Sequence, residues 1–191
     1  MSRELETLSF PSAAELEAWL AVNHATSAGI WLKLDKKVAG RRSLTYAEAL
    51  DVALCFGWID GQKAKFDDEH WLQRFTPRRP GSRWSKVNRD KVTALVNEGR
   101  MRPSGLLEIQ RAKEDGRWDA AYDGSRTATV PEDLARALAE NPAAEEFFAT
   151  LDSRNRYAVL YRVQDAKKPE TRARRIEQYV SMLAEQRKIY P

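Results

Sequence analysis

The sequence predicts an α+β fold: a small antiparallel sheet flanked by helices, followed by an all-helical C-terminal module. Alternating apolar and polar residues indicate strands, and apolar residues three and four positions apart indicate helices. Beyond about residue 124 only the helical spacing remains. We therefore expect domains at residues 1–124 and 125–191, which pack together because neither buries much surface alone.

Two capping boxes predict the first helices. Ser12-Ala-Ala-Glu15 starts a helix that ends near His24, and Thr45-Tyr-Ala-Glu48 starts one that ends at Gly57. Between them, residues 30–35 alternate as a strand does, and residues 36–42 form a basic loop. Cys55 lies inside the second helical span, where we interpret it as a small core residue.

A hairpin is predicted next, with strands at residues 59–66 and 71–76. If Asp68 is at the apex, Asp60 faces Thr76 and Gln62 faces Arg74, so all four side chains share one face. This face is either a polar pocket floor or an exposed sheet surface with one Asp–Arg pair.

Further helix signals follow the hairpin. Ser85 caps a helix with Val92, Leu95 and Val96 in the core, and Pro103 opens another with Leu106 and Leu107 buried. The stretch 124–130 is the expected domain boundary, and Asn141-Pro142 starts a helix after it. The stripe Tyr157, Leu160 and Tyr161 is interpreted as core.

The composition of the chain excludes several classes of protein. The 191 residues are 42% hydrophobic and 31% charged, as in a folded globular protein. One cysteine and two histidines are too few for a disulfide framework or the usual zinc sites. Carboxylate sites for magnesium are left open but show no recognisable spacing, so we expect no metal and no cofactor. No secretory signal or membrane-spanning run is seen, so a cytoplasmic location is expected.

Charge is concentrated in one stretch. No Asp or Glu occurs from His70 to Arg89, although six Lys or Arg residues do. Prolines and a glycine fix the path from Thr76 to a helix start, where free backbone N–H groups attract anions. We predict a site for a small anionic ligand here. Its residues are Asp60, Gln62, Arg74, Thr76, Arg78, Arg79, Ser82, Arg83, Trp84, Ser85, Lys86 and Asn88.

Alternatives remain open. The arginines of the loop could instead pair with acids of the protein itself, and Trp84 could be core. An enzyme acting on a phosphate- or carboxylate-bearing substrate could use Asp60 as acid or base. Residues 153–188 carry a net charge of +6, ten basic residues against four acidic ones. Nucleic-acid binding there is ranked last, because no recognisable motif accompanies the charge.

The motifs resemble the YdeI/OmpD-associated, bacteriocin-protection-like family from about Trp31 onward. The resembling stretches lie at residues 43–51, 55–62 and 74–88, then at 99–107, 115–123 and 155–176. The resemblance implies a role in stress, or in resistance to bacteriocins or antimicrobial peptides, and an outer-membrane porin partner. It supplies no catalytic residue, and the oligomeric state stays open.

Overall fold

The computed structural model describes residues 4–36 and 43–191, and this part of the chain contains four strands and eight helices. In chain order the elements are β1 Glu6–Leu8, α1 Ala13–Asn23, β2 Ile30–Asp35, α2 Tyr46–Cys55, β3 Trp58–Lys65, β4 His70–Pro77, α3 Lys86–Asn97, α4 Pro103–Glu114, α5 Glu132–Ala139, α6 Pro142–Ala149, α7 Ser153–Asp165 and α8 Pro169–Ala184. The α+β class is confirmed. The predicted basic loop lies, apart from Lys36, outside the described residues.

The chain forms two compact units, residues 1–121 and residues 122–191. The first contains the sheet, in the order β1-β2-β4-β3. β4 pairs antiparallel with β3, as the predicted hairpin requires, and also with β2, whereas β1 pairs parallel with β2. β1 was not predicted, because three residues are too few to show an alternating pattern.

The predicted helix starts are confirmed by their caps. The Ser12 and Ser85 hydroxyls accept the backbone N–H groups of Glu15 and Asn88, at 3.4 and 3.1 Å. Thr45 forms a complete capping box with Glu48, whose carboxylate accepts the Thr45 N–H at 2.9 Å. These bonds satisfy N–H groups that the first helical turn leaves unpaired.

The core of the first unit lies between the sheet and α1 and α2. Ile30, Leu32 and Leu34 alternate into it from β2 and are at most 3% exposed. Trp58 meets Trp19 edge to face at 6.0 Å and donates its indole N–H to the His24 carbonyl at 3.1 Å. This tryptophan therefore fixes the start of β3 against α1.

The buried face of α4 differs from the predicted one. Leu106 and Leu107 are each 45% exposed, and Val96 of α3 is 43% exposed. Gly105, Ile109 and Ala112 are the buried residues of α4. A Cβ atom on Gly105 would lie 2.2 Å from the Cys55 carbonyl oxygen. The absence of a side chain at residue 105 thus selects the face that packs on α2.

The core of the second unit is built from α5 to α8. Leu134, Val159, Val163 and Leu183 are fully buried in it. Arg172 of α8 donates to both carboxylate oxygens of Asp133, at 2.5 and 2.8 Å, and to the Val163 carbonyl at 2.9 Å. The Arg172 hydrogen bond lowers the pKa of Asp133. One guanidinium therefore joins α5, α7 and α8.

Replacing Gly105 with alanine should destabilise the protein. Alanine favours a helix by about 1 kcal/mol over glycine, but overpacking against a neighbouring backbone costs about 1–3 kcal/mol. Because the obstructing atom belongs to the backbone, the overpacking cost lies near the upper end of this range, and we expect a net loss of about 2 kcal/mol in urea unfolding. The exposed Gln110→Ala on the same helix should change stability by less than about 0.5 kcal/mol. A Gly105→Ala variant as stable as wild type would contradict the close contact.

Candidate functional site

The predicted register of the hairpin holds near its turn and fails beyond it. Lys65 pairs with Trp71 and Lys63 with Gln73, as an apex at Asp68 requires. A β-bulge between Asp60 and Lys63 then shifts the pairing by one residue. Asp60 consequently pairs with Phe75, and the predicted pairing of Asp60 with Thr76 is wrong.

The bulge divides the predicted polar face. Residues that pair across antiparallel strands share a face, so Asp60 lies on the side of Phe75, which is 2% exposed. Arg74 and Thr76 alternate onto the opposite side, where the Arg74 guanidinium donates to the Gln62 side chain at 3.1 Å. The four side chains therefore do not form one pocket floor.

Gln73 supports the bulge from inside. Its side chain is fully buried, and its amide nitrogen donates to the Gly61 and Gln62 carbonyls at 2.9 and 3.3 Å. These carbonyls lie within the break in regular strand pairing. This role of Gln73 was not predicted, although one signal for it was present in the sequence. It is the polar residue between Trp71 and Phe75 on an otherwise aromatic face.

Asp60 connects the sheet to a helix. Its carboxylate accepts the Tyr46 hydroxyl at 2.8 Å. Burial raises the pKa of Tyr46, and the negative charge of Asp60 and the hydrogen bond to it raise it further. The Lys63 ammonium lies 4.9 Å from the Trp71 ring and 5.4 Å from the Tyr46 ring. Asp60 thus has an anchoring role between β3 and the start of α2.

The loop from Arg78 to Ser85 is held by its own contacts. The Arg78 guanidinium lies 3.5 Å from the Trp84 ring centroid and donates to the Arg83 carbonyl at 3.2 Å. Arg78 and Trp84 are only 6% and 2% exposed. Trp84 also meets Trp118 edge to face at 5.2 Å. Trp84 is therefore a core residue, as the alternative interpretation expected.

A second arginine fixes the middle of the loop. Arg117 donates to the Ser82 carbonyl at 2.8 Å and to the Asp115 carboxylate at 2.7 Å. This hydrogen bond lowers the pKa of Asp115. The Ser82 hydroxyl accepts the Arg79 N–H at 2.9 Å within the turn. Arg78, Ser82 and Trp84 thus have structural partners inside their own unit.

The predicted site residues consequently fall into separate groups. Asp60 lies on the helix side of the sheet, and Gln62, Arg74 and Thr76 belong to its other side. Arg78 and Trp84 are buried, Arg79 is exposed, and Ser82 and Arg83 are half-buried in the loop. Ser85, Lys86 and Asn88 belong to the start of α3, where Asn88 is buried and its N–H is capped.

A cleft of about 520 Å³ in the second unit was not predicted. We call it the tyrosine cleft. Its lining includes Ser153, Arg154, Tyr157, Tyr161, Arg162 and Tyr190, and no acid is found among the described residues that line it. Tyr157 and Tyr161 were interpreted as core, yet both are only half-buried. The missed signal is the helical spacing of Arg154, Tyr157, Tyr161 and Arg162, which places them on one face of α7.

Both arginines of the tyrosine cleft contact Tyr190. The Arg154 and Arg162 guanidinium carbons lie 4.1 and 5.6 Å from its ring centroid. Asn155, 1% exposed, fixes the Tyr190 backbone. Its side chain accepts the Tyr190 N–H at 2.9 Å and donates to the Tyr190 carbonyl at 3.2 Å. The Tyr157 hydroxyl donates to the Asp123 carbonyl at 2.9 Å. Hydrogen bonds therefore hold the Tyr157 side chain and the Tyr190 backbone in place in the cleft.

Residues 4–36 and 43–191 contain neither a helix fit to span a membrane nor a cluster of side chains fit to hold a metal ion. No helix there is both long and apolar enough to cross a membrane. No group of three or more His, Cys, Asp or Glu side chains there could hold a metal ion.

Fold and site define an α+β protein whose helical unit has a basic, aromatic cleft. Residues 8–108 match the model of a family described as Domain of unknown function (DUF8412), and the chain belongs to this family. Residues 127–186 match the model described as Bacteriocin-protection, YdeI or OmpD-Associated (OmdA), which confirms the predicted resemblance over that range. The resembling stretches from residue 43 to 88 fall within the DUF8412 match. Comparisons with curated proteins and with solved structures found no match.

Gln73→Leu should destabilise the protein by about 1–2 kcal/mol, because two carbonyls of the bulge lose their buried donor. Urea unfolding measures this loss, and amide exchange at residues 60–63 should accelerate. The matched control is Gln62→Leu, which removes only an exposed hydrogen bond and should cost less than about 0.5 kcal/mol. Equal effects of the two substitutions would show that Gln73 does not support the bulge.

The Tyr46–Asp60 bond predicts a pH effect above neutrality. The folded state raises the pKa of Tyr46 above its unfolded value of about 10, so the folded state binds the phenolic proton more tightly. This contribution to stability is complete below pH of about 10 and is lost as the pH rises further. At neutral pH, Tyr46→Phe should cost about 1 kcal/mol.

The stability difference between wild type and Tyr46→Phe should therefore shrink above pH of about 10. Urea unfolding of both proteins across this range measures the difference. Other tyrosines and the lysines titrate in both proteins and cancel. A difference that stays constant up to the most alkaline condition would contradict the coupling of Tyr46 to Asp60.

Proposed function

We propose that the protein is a small-ligand-binding module whose tyrosine cleft takes a compact anion that carries an aromatic ring. The observation that carries this proposal is the lining of the cleft, which combines two arginines and three tyrosines with no acid among its described residues. We keep the anionic ligand expected from the sequence and assign it to the tyrosine cleft instead of the predicted residues between Asp60 and Asn88.

The chemistry of the lining defines the ligand class. Arginine forks bind phosphate or carboxylate through charge-assisted hydrogen bonds. Tyrosine rings add stacking or edge contacts with a flat ring. The cleft volume of about 520 Å³ lies within the range of about 300–1,000 Å³ for small-molecule sites. A ligand with both an anionic group and a ring would use both parts of the lining.

The position of Tyr190 supports a preformed site. Asn155 is buried and holds both backbone polar groups of Tyr190. Both arginines then lie near the ring of a residue whose backbone is held in place before any ligand arrives. Such preorganisation reduces the conformational entropy lost on binding.

The OmdA match at residues 127–186 supplies a biological context. Its description suggests an association of this protein with bacteriocin resistance. In our proposal the helical unit serves that role by binding a ligand. The porin partner, the cytoplasmic location and the stress role expected from the sequence stay predictions.

The proposal is tested with phenyl phosphate as the probe, and with inorganic phosphate and phenol as its separate halves. Calorimetry should show binding of phenyl phosphate that is stronger than that of either half. Arg154→Gln and Arg162→Gln should each weaken it about ten- to a hundredfold, because a charged hydrogen bond contributes about 1.5–3 kcal/mol. The NMR signals of Tyr157, Tyr161 and Tyr190 should shift on titration.

Arg174→Gln is the matched control, since Arg174 is an exposed residue of α8 outside the cleft lining. It should leave phenyl phosphate binding within about twofold of wild type. Binding that is absent, or that all three arginine variants weaken equally, would overturn the tyrosine cleft as an anion site.

A further inference from the structure

A second concavity, of about 890 Å³, runs along α8. We call it the α8 groove. Ala173, Ile176, Val180 and Ala184 form its floor, and Ala137 of α5 lines it as well. The α8 residues recur every three or four positions, so they share one face of the helix. The lining extends from Pro169 to Glu185, which is about 24 Å of helix.

The α8 groove is acidic although the surrounding segment is basic. Four acids and one arginine line it, a net of −3, whereas residues 153–188 carry a net of +6. The arginine, Arg172, is already paired with Asp133. Glu140 and Glu177 are exposed and have no ion pair with any other residue in the described part of the chain. Two negative charges at the groove are therefore without an ion-pair partner among the described residues.

We infer that the α8 groove binds a basic amphipathic helix of a partner protein. An apolar stripe at positions i, i+3, i+4 and i+7 of such a helix matches the small and branched side chains of the floor. Lysine or arginine beside the stripe reaches Glu140 and Glu177, and opposite charges across the contact set its orientation. An acidic helix would meet like charge and is excluded by the same lining.

A second copy of this chain fits the groove less well. In a twofold contact the same surface meets itself, so two acidic grooves would face each other with like charges. If two copies met groove to groove, Glu140 and Glu177 of one copy would be repelled by the acids of the other. The charge pattern therefore favours a different protein that supplies the basic residues.

The probe is a fluorescent peptide of about 18 residues, which matches the length of the groove at about 1.5 Å per residue. It is built from Leu, Ala and Lys as an amphipathic helix. Two comparison peptides keep its length, one scrambled in order and one with Glu in place of every Lys. Fluorescence anisotropy with the full chain at low salt should show binding of the patterned basic peptide alone.

Variants on the protein locate the contact. Glu140→Lys with Glu177→Lys should weaken the basic peptide about tenfold or more, since both counter-charges reverse. Ala173→Arg, an exposed position on the floor, should block the groove sterically. Glu145→Lys with Glu146→Lys is the matched control. It makes the same charge change at exposed residues of α6 outside the lining and should stay within about twofold of wild type.

Several results would overturn the inference. One is a failure of the basic peptide to bind at all, and another is a scrambled peptide that binds as tightly. The third such result is an equal loss of affinity for the basic peptide in the groove variant and in the α6 control. A dimer seen by sedimentation that Ala173→Arg dissociates would assign the groove to a second copy instead. Arg162→Gln in the tyrosine cleft should leave peptide binding unchanged, which separates this inference from the proposed function.

Discussion

The arrangement of the first unit depends on how the Gln73 amide satisfies the break in the hairpin. A strand alternates its side chains strictly, so one extra residue in β3 moves every residue beyond it to the opposite face. Here the extra residue turns Asp60 towards α2, where it accepts the Tyr46 hydroxyl. Arg74 keeps its place on the other side of the sheet. The shift in register, with the buried Gln73 amide donating to the carbonyls within it, therefore keeps an acid and an arginine on opposite sides of the sheet.

The same residue types produce two different outcomes in the two units. Arg78 stacks on Trp84 with both side chains buried, so its charge serves to hold a loop. Arg154 lies against Tyr190 but is exposed, and the cleft beside it remains open. Arginine on an aromatic ring is thus no indication of a site by itself. The difference lies in burial and in whether an unfilled space adjoins the guanidinium.

Local signals in the sequence predicted much of the fold, because caps and alternation act over a few residues. Thr45 and Glu48 are three residues apart and form their capping box without help from the rest of the chain. The faces of α3 and α4 were harder to predict. Leu106 and Leu107 are more apolar than Gly105, yet the backbone of Cys55 needs the space that only glycine leaves. That requirement comes from a residue 50 positions away and is invisible to periodicity. The tyrosine cleft was missed for a similar reason, since Tyr190 joins it through Asn155 across 35 positions.

Basic and acidic side chains of the second unit line different concavities. A segment with a net charge of +6 suggests one basic surface, yet the structure separates its charges by place. Arg154 and Arg162 line the tyrosine cleft, and no acid is found among its described lining residues. The α8 groove is lined by Glu177, Glu185 and Glu140, the last of which lies in the turn between α5 and α6. Arginine and glutamate on neighbouring helices thus create two concavities of opposite charge within about 70 residues. Opposite potentials at separate concavities favour two different kinds of ligand, one anionic and one basic. Net charge alone would have predicted only the first.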